Sequence, residues 1–394
     1  MSINKSKILP VVTLFDIFGK DFILNSRASS SDYRWLPKNL DFLTGPPLTI
    51  AGNMPVICSY SVAAEDVITL MKSANLEVNP ILHVYRSYKE YRDLAAYFLS
   101  QKKKIVFNYP HPSSEFNKEG YWIDPKLVKF LNNKANLERL VPKEHVPKRI
   151  IVHPSEIIKT ANKFNKLPLV IKAATDQPTG GGCDVIICKD RNDINNAWDY
   201  FQTCSTVVLE EYIEINQNYN LQFAKTINHQ IIYLGASQQI SNPTGHYLGN
   251  WLVKNNEPPG LLIQLGRLIM ERACSLGFMG IVGFDIVISK ENRVLAIDLN
   301  FRINGSTPAL LLKESIFKIH NASVLLSRSW KPNMNWNKFK LTCQNAIESG
   351  YLIPISIYNP LVDSNSHSIP HISGILIGSS KEDILKKERL LGFS

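Results

Sequence analysis

The sequence predicts an α/β protein: a small N-terminal parallel-sheet domain, then a longer region in which strands pair with their neighbours. Three observations carry this. Up to about residue 125, short apolar runs alternate with stretches of helical periodicity, which is the pattern of βαβ units. From Leu167 onward the strands become paired and polar-tipped. Between Gly280 and Asn300 an apolar run turns back on itself through "SKENR" and ends in alternating polar residues.

In chain order, "ILPVVTLFDIF" (8–18), "MPVICSYS" (54–61), "PILHVYR" (80–86) and "KKIVFNYP" (103–110) are expected as strands. "EDVITLMKSANL" and "SYKEYRDLAAYFLSQ" space their apolar residues as helices do. Residues 126–168 turn helical, with "PKLVKFLNNKANLERLV" and, after "HP", "SEIIKTANKF" capped by Ser155. The strands "LPLVIKAAT", "CDVIICKD", "TVVLEEYIEI", "YNLQFAKTI" and "QIIYLGASQQI" follow, and one long helix, "GLLIQLGRLIMERACSLGF", precedes the final hairpin.

Composition narrows the function classes. The 394 residues, 44% hydrophobic and 20% charged, suit a globular protein of two or three domains. No run of about 18 uncharged apolar residues occurs, so neither a membrane span nor a signal peptide is expected, and the cytoplasm is the expected location. The six cysteines form no CxxC pair, which argues for reduced core thiols over zinc or redox chemistry. The net charge of +10 is spread along the chain with no nucleic-acid motif. A solvated basic surface accounts for it, as does a cleft for an anionic substrate such as a nucleotide.

The hairpin "GIVGFDIVISKENRVLAIDLN" carries the first chemical signal. A two- or four-residue turn centred between Glu291 and Asn292 sets Asp285 directly across from Asp298, with Asn300 on the same face. Opposed carboxylates repel, so a cation belongs between them, and two carboxylates with an amide oxygen suit Mg²⁺ shared with phosphate oxygens. The plainer alternative is a solvated pair in another register. A second stretch, "LPLVIKAATDQPTGGGCDVIIC", puts Lys172 at the end of an apolar strand before Gly180, Gly181 and Gly182, whose backbone N–H groups can approach an anion. It is not a Walker loop, because GKS/T is absent and a strand follows. A third, "TVVLEEYIEI", leaves the core at Glu210, Glu211 and Tyr212 and offers a carboxylate and main chain to an adenine edge.

The ordered set Lys134, Lys172, the triple glycine, "LEEYIE", Asp285, Asp298, Asn300 and Arg302 resembles the ATP-grasp superfamily of ATP-dependent carboxylate ligases. The likeness covers roughly residues 126–320. It implies a pre-ATP-grasp domain at 1–125, ATP-grasp lobes at 126–215 and 216–325, and a C-terminal extension at 326–394 that completes the ATP-grasp region. It assigns Lys134 and Lys172 to the phosphates, the glycines to a lid, and Glu210 to the adenine amino group. Glu211, Tyr212 and Ile213 become the hinge, and Asn218 stands where a ribose-binding acid is usual. Asp285, Asp298 and Asn300 become ligands of Mg²⁺, with Mn²⁺ as an alternative; Asp298 replaces the commoner glutamate and shortens the reach. Arg302 is the catalytic residue, placed for the oxyanion of the amide-forming step, and Asn304–Thr307 adds donors at a helix start.

The activity so implied is ATP-dependent ligation of an amino-acid or peptide carboxylate to an amine, ADP-forming, with small-molecule or peptide substrates, no nucleic acid or membrane, and a homodimer compatible. The alternatives are an ATP-dependent carboxylase and a non-catalytic nucleotide-binding protein. Substrate specificity is the least legible part. The polar stretch "ASQQISNPTGHYLGNW" (236–251) reads as a loop facing the site, with Gln239, His246 and Tyr247 as contacts, and "NYPHPSS" (108–114) follows a parallel strand, where α/β sheets bind ligands.

Overall fold

The computed structural model describes residues 6–29, 34–36, 38–164, 166–363 and 369–393. Its first sheet is parallel throughout: β1 (Phe22–Asn25), β2 (Val56–Ser59), β3 (Leu82–Tyr85) and β4 (Lys104–Phe107), in the order β3-β2-β1-β4. The chain builds outward from β1 and then returns to its other side, so the order reverses between β1 and β4. Crevices at such a reversal, beyond the strand C-termini, are where open sheets hold ligands.

The N-terminal run "ILPVVTLFDIF" is not the first strand. It ends in a short helix, Leu14–Phe18, because Thr13 and Asp16 cap one another: the Asp16 N–H donates to Thr13 Oγ1 at 3.1 Å and the Thr13 N–H to Asp16 Oδ2 at 2.8 Å. The strand comes four residues later, in "FILN".

The second sheet is antiparallel: β5 (Arg149–Val152), β6 (Leu169–Ala174), β7 (Val185–Cys188) and β8 (Thr206–Glu211), in the order β5-β8-β6-β7. β5 lies inside the segment expected to be helical throughout. Nor does Ser155 cap the following helix; it sits within a 3₁₀ turn, Pro154–Glu156, and its own N–H donates to the His153 ring at 3.3 Å.

Eight antiparallel strands make the third sheet: β9 (Ile215–Lys225), β10 (Ile231–Ser241), β11 (Tyr247–Val253), β12 (Gly280–Ser289), β13 (Val294–Asn300), β14 (Val324–Trp330), β15 (Leu352–Tyr358) and β16 (His371–Gly378). Their order is β13-β12-β9-β10-β11-β14-β16-β15. Residues 236–251, read as a loop, are the β10–β11 hairpin with its turn at 242–246. The polar residues that suggested a loop find partners in the structure: Asn250 donates to Ser237 at 2.9 Å and Lys381 to Gln238 at 3.2 Å. A division at 325 would cut β14, whose pairing with β11 makes the C-terminal strands part of the same sheet.

The helix Gly260–Ser275 buries Leu262, Leu265, Gly266, Ile269, Met270 and Ala273, one face of its cylinder, against β9 and β10. Gly266 sits where a methyl group would stand 2.6 Å from the Phe223 ring. Among the described residues no helix is long and apolar enough to cross a membrane.

Glycine within a helix normally gains about 1 kcal/mol on replacement by alanine. Here Gly266→Ala is expected to lose about 1–3 kcal/mol, because overpacking against Phe223 outweighs helix propensity. Urea denaturation decides it: a midpoint that rises in the variant would show that the ring yields freely.

Candidate active site

β12 and β13 set Asp285 across from Asp298, the register expected from the sequence, but by another route. The turn holds three residues, Lys290–Asn292, closed by the Ser289 N–H on the Arg293 carbonyl at 2.9 Å, with Asn292 at φ 61°. A turn centred on Glu291 would misalign the acids by one position. The missing residue is restored by a bulge: Ile286 pairs with Ala296 and Asp285 with Asp298, which leaves Ile297 unpaired. The bulge has a chemical consequence, since the Ile297 carbonyl accepts from Lys172 Nζ at 2.9 Å.

The repulsion between the acids is offset from one side. Lys134, on the 3₁₀ turn Lys134–Asn136, donates to Asp298 Oδ1 at 2.7 Å and lies 3.3 Å from Asp184. Burial acts to lower the Lys134 ammonium, but Asp184 and Asp298 outweigh it and hold it above the ordinary lysine value. Burial acts to raise Asp298, and Lys134 more than reverses this, so its carboxyl titrates below the usual range. Asp285 has no such contact. Burial, then the charge of Asp298, push it well above the usual carboxylate range, opposed by the Asn220 amide, which donates at 2.7 Å. Behind Asn220 a buried network continues through Gln222 to Ser306 at 2.9 Å and Thr307 at 2.7 Å.

The strand period of two puts Asn218, Asn220 and Gln222 of β9 on the face that carries Asp285. Among the described residues the buried Asn218 Oδ1 has no hydrogen-bond partner, an acceptor left open. Next to it Ile213, Val287, Leu295 and Ile297 form a small apolar platform. Glu210, expected to face outward at the hinge, is buried instead: its carboxylate lies 2.5 Å from Lys172 and 3.5 Å from Arg149. Neighbouring strands force this, since Glu210 pairs with Arg149 on β5 and with Val170 on β6, two residues from Lys172. Glu211 is bound by Arg293 at 2.6 and 3.1 Å, and Tyr212 is exposed.

The loop with Gly180, Gly181 and Gly182 closes over this group. Gly181 and Gly182 have φ of 68° and 77°, and a Cβ on Gly182 would meet the Gly245 carbonyl at 2.7 Å, so only glycine permits the loop to rest on the β10–β11 turn. Tyr247 N–H donates to the Gly181 carbonyl at 3.2 Å. Arg302 latches the other end, donating to the Thr179 carbonyl at 3.2 Å and Asn132 at 3.3 Å, with its guanidinium over the Tyr109 ring. Asn108 ties the first sheet to this place, bonding both the N–H of Ile303 at 3.0 Å and its carbonyl at 3.3 Å.

Of the residues singled out in the loop reading, Tyr247 reaches Asn250 with its hydroxyl, Gln239 pairs with Asn250 across the hairpin, and the His246 side chain is exposed on the turn. Asn300 directs its amide nitrogen at Asp298 Oδ2 over 3.4 Å, so a ligand oxygen there requires the opposite amide orientation. Among the described residues no three His, Cys, Asp or Glu side chains form a cation cage; the donor set is two acids and an amide.

The sequence profile of the L-aspartate–L-methionine ligase ATP-grasp domain matches residues 147–300, and that of the same ligase's N-terminal domain matches residues 13–129. The chain belongs to the ATP-grasp ligases. N5-carboxyaminoimidazole synthetase from Staphylococcus aureus, solved with ADP, is similar over 100% of each chain, with a TM-score of 0.59 at 12% identity. Biotin carboxylase from Campylobacter jejuni, in a β-γ-ATP complex, is similar over 94% of this chain and 90% of its own, with a TM-score of 0.58 at 12% identity. At such identities the likeness establishes the fold, and the ligase class rests on the profiles. This ATP-grasp ligase is ATP-dependent and ADP-forming, and it joins a carboxylate to an amine. Asp184, Asn220 and Gln222 were missed in the sequence; the alternation of "NYNLQ" was visible, but not which strand it would flank.

The unequal acids give a test. Without added metal, Asp285→Asn is expected to leave the melting temperature unchanged or raise it, worth up to about 1 kcal/mol from relieved repulsion. Asp298→Asn, which strips Lys134 of its nearer partner, is expected to lose about 1–3 kcal/mol. Equal falls in both variants would show that Asp285 is not the strained member of the pair.

Proposed function

We propose that this site joins L-aspartate to L-methionine, the substrates named by the family that both profiles describe. The observation that carries the ligase site is the opposed pair Asp285 and Asp298, of which Lys134 bonds Asp298, beside a glycine loop that Arg302 latches. Opposed acids at this cost suit a site that is completed by a cation and a polyphosphate.

Lys134 and Lys172 bind the phosphates of ATP, and Gly181 and Gly182 approach them through main chain. The Ile213, Val287, Leu295 and Ile297 platform takes the purine, with hinge backbone at its edge, and Asn218 Oδ1 accepts from the ribose. Glu210 acts as the counter-ion that positions Lys172 and not as the adenine contact. Asp285, Asp298 and, with its amide turned, Asn300 would hold Mg²⁺, or Mn²⁺, which when bound supplies charge neutralisation between phosphate oxygens.

In the first step a substrate carboxylate oxygen attacks the γ-phosphorus, the bond to the β-phosphate oxygen breaks, and ADP leaves. In the second the amine nitrogen attacks the carbonyl carbon, the carbon–oxygen bond to phosphate breaks, phosphate leaves, and the amine proton passes to water. Arg302 donates to the oxyanion of that second step, and Asn108 and Tyr109 line the carboxylate side.

ADP release with pooled amino acids tests the reading: aspartate and methionine together should be required, and mass spectrometry should find one dipeptide. Release without methionine, or with bicarbonate in its place, would point to a carboxylase. For the nucleotide, Lys172→Ala should weaken ATP by about 2 kcal/mol by calorimetry, and unchanged affinity would remove Lys172 from the phosphates. For Arg302, the expected pattern for Arg302→Ala is near-normal ATP affinity with single-turnover ligation slowed by about two to three orders of magnitude. Arg302→Lys should recover little, since an ammonium does not reproduce the planar fork. Lost ATP binding with intact chemistry at saturation would make Arg302 a nucleotide contact.

A further inference from the structure

On the other side of Tyr247 from the acid pair lies a recess of about 450 Å³, between β14 and the last helix, Lys381–Leu391. Its volume falls within the range of about 300–1,000 Å³ usual for small-molecule sites. One wall is apolar: Trp330 and Phe393, both buried, and Leu385. The rim is cationic, with Arg328, Lys331 and Arg389. The acid in the wall, Glu388, is already engaged by Arg328 at 2.8 Å and the Trp330 indole N–H at 2.9 Å. Among the described residues neither Lys331 nor Arg389 meets an acid, so the recess carries uncompensated positive charge beside aromatic surface.

Tyr247 connects this recess to the chemistry. It lines the recess, its hydroxyl donates to Asn250, and a Cβ on Gly305, in the loop after Arg302, would lie 3.7 Å from that hydroxyl. A molecule seated in the recess therefore ends at Tyr247, beside the loop that follows the metal strand.

We propose that this recess is the acceptor pocket: it takes the amine-bearing substrate as an α-amino acid with an unbranched apolar side chain. The assignment rests on the ligase reading above. An amino-acid acceptor keeps its own carboxylate while its amine attacks, and Lys331 and Arg389 meet that carboxylate. Trp330, Phe393 and Leu385 receive the side chain, and a thioether makes favourable contacts with aromatic edges. The amine then points past Tyr247 to the acyl carbon. A simple amine would leave the two cations of the rim without an anion, and an acidic side chain would lie against Trp330 and Phe393.

The experiment compares wild type, Lys331→Glu with Arg389→Glu, and Lys386→Glu, a charge reversal on the helix of Arg389 but outside the recess. ADP release is followed with L-methionine or with methioninamide, which lacks the carboxylate. Wild type should prefer methionine by about tenfold or more, the scale of a charge-assisted contact. In the double variant the KM for methionine should rise by at least about tenfold and the preference should vanish, with KM for aspartate and ATP unchanged and Lys386→Glu like wild type. If the double variant fails to fold, Lys331→Ala, at an exposed position, should shift methionine in the same direction. An unmoved methionine KM with the preference retained overturns the proposal, and so does a rise in the aspartate KM instead, which would make the recess the donor pocket. Should wild type be silent with aspartate and methionine, the substrate reading fails separately. Calorimetry of methionine against methioninamide, in wild type and double variant, then decides the recess alone: no difference between the two ligands overturns it.

Discussion

The carboxylates of Asp285 and Asp298 face one another inside an eight-stranded sheet, and much of the site is an answer to their repulsion. Asp285 is buried and Asp298 half-buried, so water screens them only in part and protein charge supplies the rest. Lys134 reaches in from a 3₁₀ turn, Asp184 fixes Lys134 from a second sheet, and Lys172 comes in on the bulge carbonyl of Ile297. Each cation is itself held by an acid or a main-chain oxygen. The result is a site whose charges are paired while it waits and can be re-partnered when an anionic substrate arrives. Asp298 is the partner stabilised in the waiting state, and Asp285 is the one left under strain.

The same constraint explains why three sheets converge. The parallel sheet presents its β1–β4 reversal to Arg302 through Asn108 and Tyr109. The small antiparallel sheet supplies Lys172, Glu210 and the glycine loop, and the large one supplies the acids and the apolar group of Val287, Leu295 and Ile297. Short loops alone would not hold groups at these distances; adjacent strands, fixed by backbone hydrogen bonds, do. The glycine loop is the exception, spanning two sheets by resting on the β10–β11 turn and on Arg302. It thereby links the β10–β11 turn to Arg302 through its own main-chain carbonyls.

Local chemistry was legible in sequence wherever it depended on spacing along one strand. The acids, Asn300 and Arg302 share a hairpin, and a period of two puts them on one side. Even there the turn was placed half a residue off, and a bulge at Ile297 corrected the register, since bulges leave little trace in an apolar run. The N-terminal strand was misread because a Thr13–Asp16 cap outcompeted an apolar pattern that fits either structure. The β10–β11 hairpin looks like a loop in sequence because polar residues bonded to one another in a sheet look like polar residues facing water.

By itself, the sequence determined the α/β order, the fold family, and the identity of the groups that carry charge: these are matters of periodicity and of ordered motifs. Tertiary structure alone decided which charges meet. Glu210 became the partner of Lys172 and Arg149, Asp184 became the second anchor of Lys134, and Asn220 came to lie on Asp285, all through pairing between strands far apart in the chain. It also set Tyr247 between the acid pair and a cationic, aromatic recess built from the last strands and helix. The physical reason is that Coulomb energies depend on distance in space, and no pattern along a chain reports the distance between residues 134 and 298, or between 247 and 389.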